Sequence, residues 1–247
     1  MKTQKSTLTR IPAALGVLAC AVLALSVCGC AELTGKPAQA KKSKPFEPTN
    51  HFGEASLPAR MHRVVLMPVA GGNAASPESA AALDPVIVSC LQRQNRFEVI
   101  QLTRADCQAH FQCEELSSVM PLPTNFMEVL KRDYDADAVI FVDVTVYQAY
   151  QPLQIGLRAK LAMLDDSHLV WTFDNLYSAE DAAVAGSATK YLQSREPVML
   201  PPDISTVVLE SPSQFAGYVV SSMFATLPPV HGTAAVAKVA RKAENER

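Results

Sequence analysis

Hydrophobic and polar positions divide the chain into a leader, a polar approach, a long run of regular elements and a polar tail. The leader carries Lys2, Lys5 and Arg10, with no acid before Glu32, and is apolar from Ile11 to Val27. A basic start, a short apolar run and small residues at its end predict a cleaved export signal over residues 1–29. The run is shorter than the roughly 20 residues a spanning helix needs, and no basic cluster follows directly to stop transfer. Residues 30–60 place Lys36, Lys41, Lys42 and Lys44 among Ala, Pro and Gly, with little to bury. That composition predicts a flexible tether. A folded domain is expected over residues 61–229, and a mobile tail over 230–247.

Within the domain, Arg63 to Val69 is a continuous apolar run bounded by Gly71-Gly72-Asn73, which predicts a central strand buried on both faces. Ser76-Pro77-Glu78 supplies an N-cap, a first-turn proline and an early acid. Leu83, Val86, Ile87, Cys90 and Leu91 follow at helical spacing, and the helix should end near Asn95. Phe97 to Ile100 is a second short strand. Arg104 to Pro123 reads as irregular, and Thr124 is expected to cap a helix running to Tyr134.

The clearest pattern lies between Ala138 and Phe173. Ala138 to Tyr147 is a long strand whose later half alternates, and Ile155 to Leu164 carries Arg158 and Lys160 on one face only. Asp165-Asp166-Ser167 turns the chain, and Leu169 to Phe173 returns. Three strands each alternating toward one face predict an antiparallel meander. A helix is predicted over Glu180 to Gln193, a proline-rich surface loop over Glu196 to Glu210, and a last helix from Ser211-Pro212 through Phe215, Val219 and Met223 to Leu227. The fold class is therefore α/β or α+β: a single domain, a mixed sheet, and helices packed against it.

Val27-Cys28-Gly29-Cys30 resembles a bacterial lipobox, with a branched aliphatic residue at −3, a small one at −1, then the cysteine that receives lipid. The resemblance implies cleavage before Cys30 and a lipid anchor there. Ala31 at +2 implies the outer membrane, with the domain facing the periplasm. The order of elements resembles a family of envelope domains that includes the amino-terminal domain of TolB, the curli secretion lipoprotein CsgG, and LpoB, the lipoprotein that activates a penicillin-binding protein. Val64 to Val69 is similar to the family's opening strand. Tyr134-Asp135-Ala136-Asp137-Ala138-Val139-Ile140-Phe141 is similar to its entry to the third strand, and Ile155 to Trp171 to its hairpin. Ser211 to Pro228 resembles its terminal helix. The likeness covers roughly residues 62–229, with Glu180 to Glu210 departing as an insertion. It implies a fold and no catalytic residues. The stretches matching the curli channel's hairpins are too short and proline-rich to pair as membrane strands of 9–11 residues.

A net charge of −2 gives no electrostatic case for nucleic acid. Of six cysteines, Cys20 and Cys28 leave with the signal and Cys30 is lipidated. Cys107 and Cys113 close a short loop and are expected to pair in an oxidising compartment, with Cys90 a buried thiol. Free thiols, or zinc held by Cys107, His110 and Cys113, are the alternatives. No nucleophile elbow, phosphate loop, HExxH spacing or dinucleotide fingerprint occurs, so no catalytic centre, metal or cofactor is expected. Asp165 and Asp166 read as a solvated turn, and Trp171 as core. Asp143, inside an apolar strand, needs a partner such as Arg158 or Lys160 if it points inward. Tyr147-Gln148-Ala149-Tyr150-Gln151-Pro152 combines rigid amphipathic area with hydrogen-bonding tips; Tyr147, Tyr150 and Pro152 mark either a contact surface or a hairpin packed under the last helix. The expected function is a non-enzymatic, membrane-anchored envelope lipoprotein that binds a protein partner or assembles with copies of itself. The alternative is a ring or collar of a secretion apparatus.

Overall fold

The computed structural model describes residues 44–195 and 207–231. The export signal, Cys30, most of the 196–210 loop and nearly all of the tail lie outside the described residues. Six strands and five helices are described: β1 (His51–Gly53), β2 (Arg63–Leu66), α1 (Pro77–Gln92), β3 (Glu98–Gln101), α2 (Arg104–Phe111), α3 (Phe126–Tyr134), β4 (Ala138–Gln148), β5 (Gln154–Met163), β6 (Leu169–Ser178), α4 (Ala182–Arg195) and α5 (Pro212–Ala225). The strands form one mixed sheet in the order β1-β6-β5-β4-β2-β3. β2 lies parallel between β3 and β4, whereas β4, β5 and β6 form the antiparallel meander.

Strand alternation sorts the core into two layers. Val64 and Leu66 of β2, with Ala138, Ile140 and Val142 of β4, pack under α1, α4 and α5. Val65 and Met67, with Val139 and Phe141, face Phe126 and Leu130 of α3 and Cys107 of α2. Both faces of β2 and β4 are covered, which is why they read as continuous apolar runs. The larger layer continues along the meander through Leu157, Leu161, Trp171, Phe173 and Tyr177. Trp171 is fully buried, and its indole N–H donates to the Thr226 hydroxyl at 3.0 Å. The second face of β5 and β6 carries Arg158, Lys160 and the exposed Leu176.

Several expectations need correction. Residues 44–60 are not a loose tether. Phe46 packs on Tyr177 with ring centroids 4.9 Å apart, β1 pairs with β6, and Leu57 and Met61 are buried. Three apolar anchors suffice to dock a segment whose average composition is polar. Arg104 to Phe111 is a helix, started by a reciprocal capping box between Thr103 and Asp106. Thr124 is not a cap: Asn125 occupies that position before α3 and makes no side-chain capping bond. β6 runs five residues beyond Phe173 because its polar residues find partners. Arg158 pairs with Asp174, and Asn175 donates to the Asn50 carbonyl. Strict alternation would put Leu169 on the face of Trp171, yet it is 42% exposed, because the β5–β6 register shifts at Leu161/Ala162. Asp165 and Asp166 do form a solvated turn, paired to Arg60.

Candidate functional site

The parallel part of the sheet creates a crevice. From β2 the chain crosses over one face through α1 to β3. It then returns over the other face through α2 and α3 to β4, on the opposite side of β2. Connections leaving a strand's carboxyl end in opposite directions open a cleft there, the usual ligand position in open α/β sheets. A cleft of about 810 Å³ occupies this point, between Ala70–Ala74 after β2, the 113–121 connection, and Asp143–Thr145 of β4.

One side chain organises its walls. Arg104, at the start of α2, donates from Nε to Asp84 Oδ2 of α1 and from Nη1 to Glu115 Oε2, both at 2.8 Å. Its Nη2 donates to the Val69 carbonyl at 2.8 Å. Asp84 Oδ1 in turn accepts the Val69 amide at 2.9 Å, and Glu115 Oε1 accepts the Gly71 amide at 2.9 Å. All three charged side chains are mostly buried. The fork of the guanidinium thus ties both helix layers to the turn after β2. Beyond α2 and α3, the face that carries Val139 and Phe141 ends in Asp143. It is the buried charged residue among those described, at 6% exposure. Arg158 stands opposite it in the β4–β5 register but is engaged by Asp174 at 2.7 Å. Lys160 Nζ donates to the Ser118 carbonyl at 2.9 Å. Asp143 instead accepts the Ser118 amide, at 3.0 and 3.3 Å to its two oxygens. Neither basic residue expected to pair with it does so.

The three described cysteines are free thiols: Cys113, half-buried, lines the cleft, Cys107 is buried in the smaller core layer beside it, and Cys90 is buried in the larger layer on the other side of the sheet. Cys107 lies within hydrogen-bonding reach of Cys113. Burial, reinforced by that neighbour, pushes its thiol up to about 12. His110 lies against Asp133 and the Tyr134 ring, and no group of three or more His, Cys, Asp or Glu among the described residues is placed to hold a metal.

The bend between β4 and β5 lies apart from this cleft's lining, and its residues separate. Tyr147 is half-buried against the larger core layer, Pro152 is half-buried after a cis peptide bond, and Tyr150 is 79% exposed. The Gln148 amide Nε2 donates to the carbonyls of Tyr150 at 3.2 Å and Pro152 at 2.6 Å, closing the bend on itself. Sequence reading missed Arg104, Asp84 and Glu115 as a unit; the only local hint was the Thr103–Asp106 cap beside Arg104.

No family model and no curated protein matches the chain. Among solved structures it is similar to the PelC dodecamer from Paraburkholderia phytofirmans, at 10% identity over 72% of this chain and 96% of that one, with a TM-score of 0.43. It is also similar to lipoprotein GNA1162 from Neisseria meningitidis, at 13% identity over 58% and 100%, TM-score 0.38. A third is the C-terminal domain of LpoB from Salmonella enterica, at 11% identity over 47% and 81%, TM-score 0.31.

Arg104→Met should lower stability by about 3 kcal/mol, because it strands two mostly buried carboxylates. Arg104→Lys should not restore it, since an ammonium lacks the fork that reaches three acceptors. Urea unfolding of both variants is the check; a loss below about 1 kcal/mol would put the clamp at surface-pair strength.

Proposed function

We propose that this chain is an exported lipoprotein of the cell envelope, cleaved before Cys30, acylated there, and held to the outer membrane with its domain in the periplasm. It acts without catalysis, by binding a protein partner or further copies of itself. The basic leader and Val27-Cys28-Gly29-Cys30 support the anchor. Among the described residues no helix is long and apolar enough to cross a membrane. Acyl chains contribute about 0.8 kcal/mol per buried methylene, so two or three of them hold effectively permanently.

The observation that carries the binding role is Tyr150, displayed to solvent on a bend closed by the Gln148 amide. A preorganised aromatic loses little freedom on association, and aromatic anchors dominate interface energies. Pro152 helps to shape this surface, while Tyr147 holds it to the core. Away from this bend, Cys107 and Cys113 are proposed to join as a disulfide once the protein is exported, leaving Cys90 as the free thiol.

Three outcomes follow. Cys30→Ala should release the protein from membranes and abolish labelling by a fatty-acid analogue; label that persists there and vanishes in Cys28→Ala would move the site. Tyr150→Ala should lose crosslinked partners or self-oligomers by roughly thirtyfold in affinity with an unchanged melting temperature. Tyr147→Ala should lower the melting temperature instead. Capture intact in Tyr150→Ala would remove the bend from the interface. Alkylation of the exported protein without reduction should block one thiol in the domain; three blocked thiols would rule out the bridge.

A further inference from the structure

We propose that the cleft at the carboxyl end of β2 is a binding site for an aliphatic primary amine, whose ammonium is held by the Asp143 carboxylate. The site is separate from the bend at Tyr150, and neither reading depends on the other.

A carboxylate is acceptor-only and takes about four hydrogen bonds, and burying one with fewer is costly unless a cation or water completes it. Asp143 is 6% exposed, and its hydrogen-bond donor among the described residues is the Ser118 amide. The neighbouring charges do not meet the demand. Arg158 lines the cleft but is paired with Asp174 at 2.7 Å, and Lys160 donates to the Ser118 carbonyl rather than to Asp143. Glu115 makes no such demand, because Arg104 and the Gly71 amide already occupy its oxygens. Among the described residues, no cationic side chain is bonded to the Asp143 carboxylate.

The rest of the lining gives the ligand's shape. An ammonium brings three donors and no acceptor, which suits a carboxylate with hydroxyls nearby. Thr145 and Ser117 line the cleft beside Asp143, and Ala70, Leu116, Val144 and Met120 supply apolar wall. Met120 stands at the rim, 62% exposed. A cation on an apolar stem fits this order of polar floor and apolar sides. A metal ion fits it less well, since no group of three or more His, Cys, Asp or Glu among the described residues is gathered there. The same chemistry is carried by a free alkylamine and by a lysine side chain of another protein.

The test uses the full-length lipidated protein in nanodiscs of zwitterionic lipid, with empty nanodiscs as background, read by ligand-observed saturation-transfer NMR. Pentylamine and N-acetyl-lysine amide are the probes, and pentanol and N-acetyl-norleucine amide their uncharged counterparts. Saturable transfer to the amines and not to the neutral probes is expected, and the tighter of the two amines identifies the source. Asp143→Asn retains an acceptor for the Ser118 amide and removes the charge; it should weaken amine binding at least about tenfold. Met120→Lys, at an exposed rim position, should block the probes with Asp143 intact, so the test stands even if the Asn variant fails to fold. Equal transfer to neutral and charged probes, or amine binding unchanged in Met120→Lys, would overturn the proposal.

Discussion

The Arg104 guanidinium sits where the chain reverses its direction of crossover, and three otherwise independent parts of the molecule meet on it. Asp84 belongs to α1 on one face of the sheet, Arg104 to α2 on the other, and Glu115 to the connection that walls the cleft. The Val69 carbonyl between them belongs to the exit of β2. Mostly buried carboxylates are tolerable only while paired and hydrogen-bonded. The position of each part is therefore a condition for the others. The Gly71 and Gly72 amides hang on the same Glu115 oxygen, so the mouth of the cleft inherits its shape from this network.

From this point outward the structure divides its labour. The larger core layer runs under α1, α4 and α5 along the full meander and supplies most of the burial. The smaller layer under α2 and α3 stops at Phe141, and the next residue on that face is Asp143. A cleft with a buried carboxylate arises where helical cover runs out before the strand does. The bend at Tyr150 follows from the same strand's length, since β4 continues to Gln148, past the end of the α2 and α3 cover at Phe141.

Elements with local periodicity were legible in the sequence. α1, β4, β5, α4 and α5 appear close to their expected limits because burial imposes a period of two or 3.6 on neighbouring residues. What depended on distant partners was not legible. Arg104 finds Asp84 and Glu115 at separations of 20 and 11 residues, a spacing that no helix or strand period encodes. Asp143 stood out as a carboxylate in an apolar strand, yet its partner was misjudged: Arg158 had a competing acid on β6, and a backbone amide from a loop took its place. The segment carrying Phe46, Leu57 and Met61 was hidden by averaging, since few of its residues are apolar although these three pack into the core. The exposed Tyr150 was singled out by composition, but only the geometry separated it from Tyr147.

Glu115, held by Arg104, fixes the turn after β2 at the cleft mouth. Hydrogen–deuterium exchange on Glu115→Ala measures this most directly, because the Gly71 and Gly72 amides donate to its carboxylate. Exchange should accelerate at Gly71 and Gly72 and along the 115–118 wall, with the amides of β5 and β6 as protected as before. Unchanged protection at Gly71 and Gly72 would contradict the account.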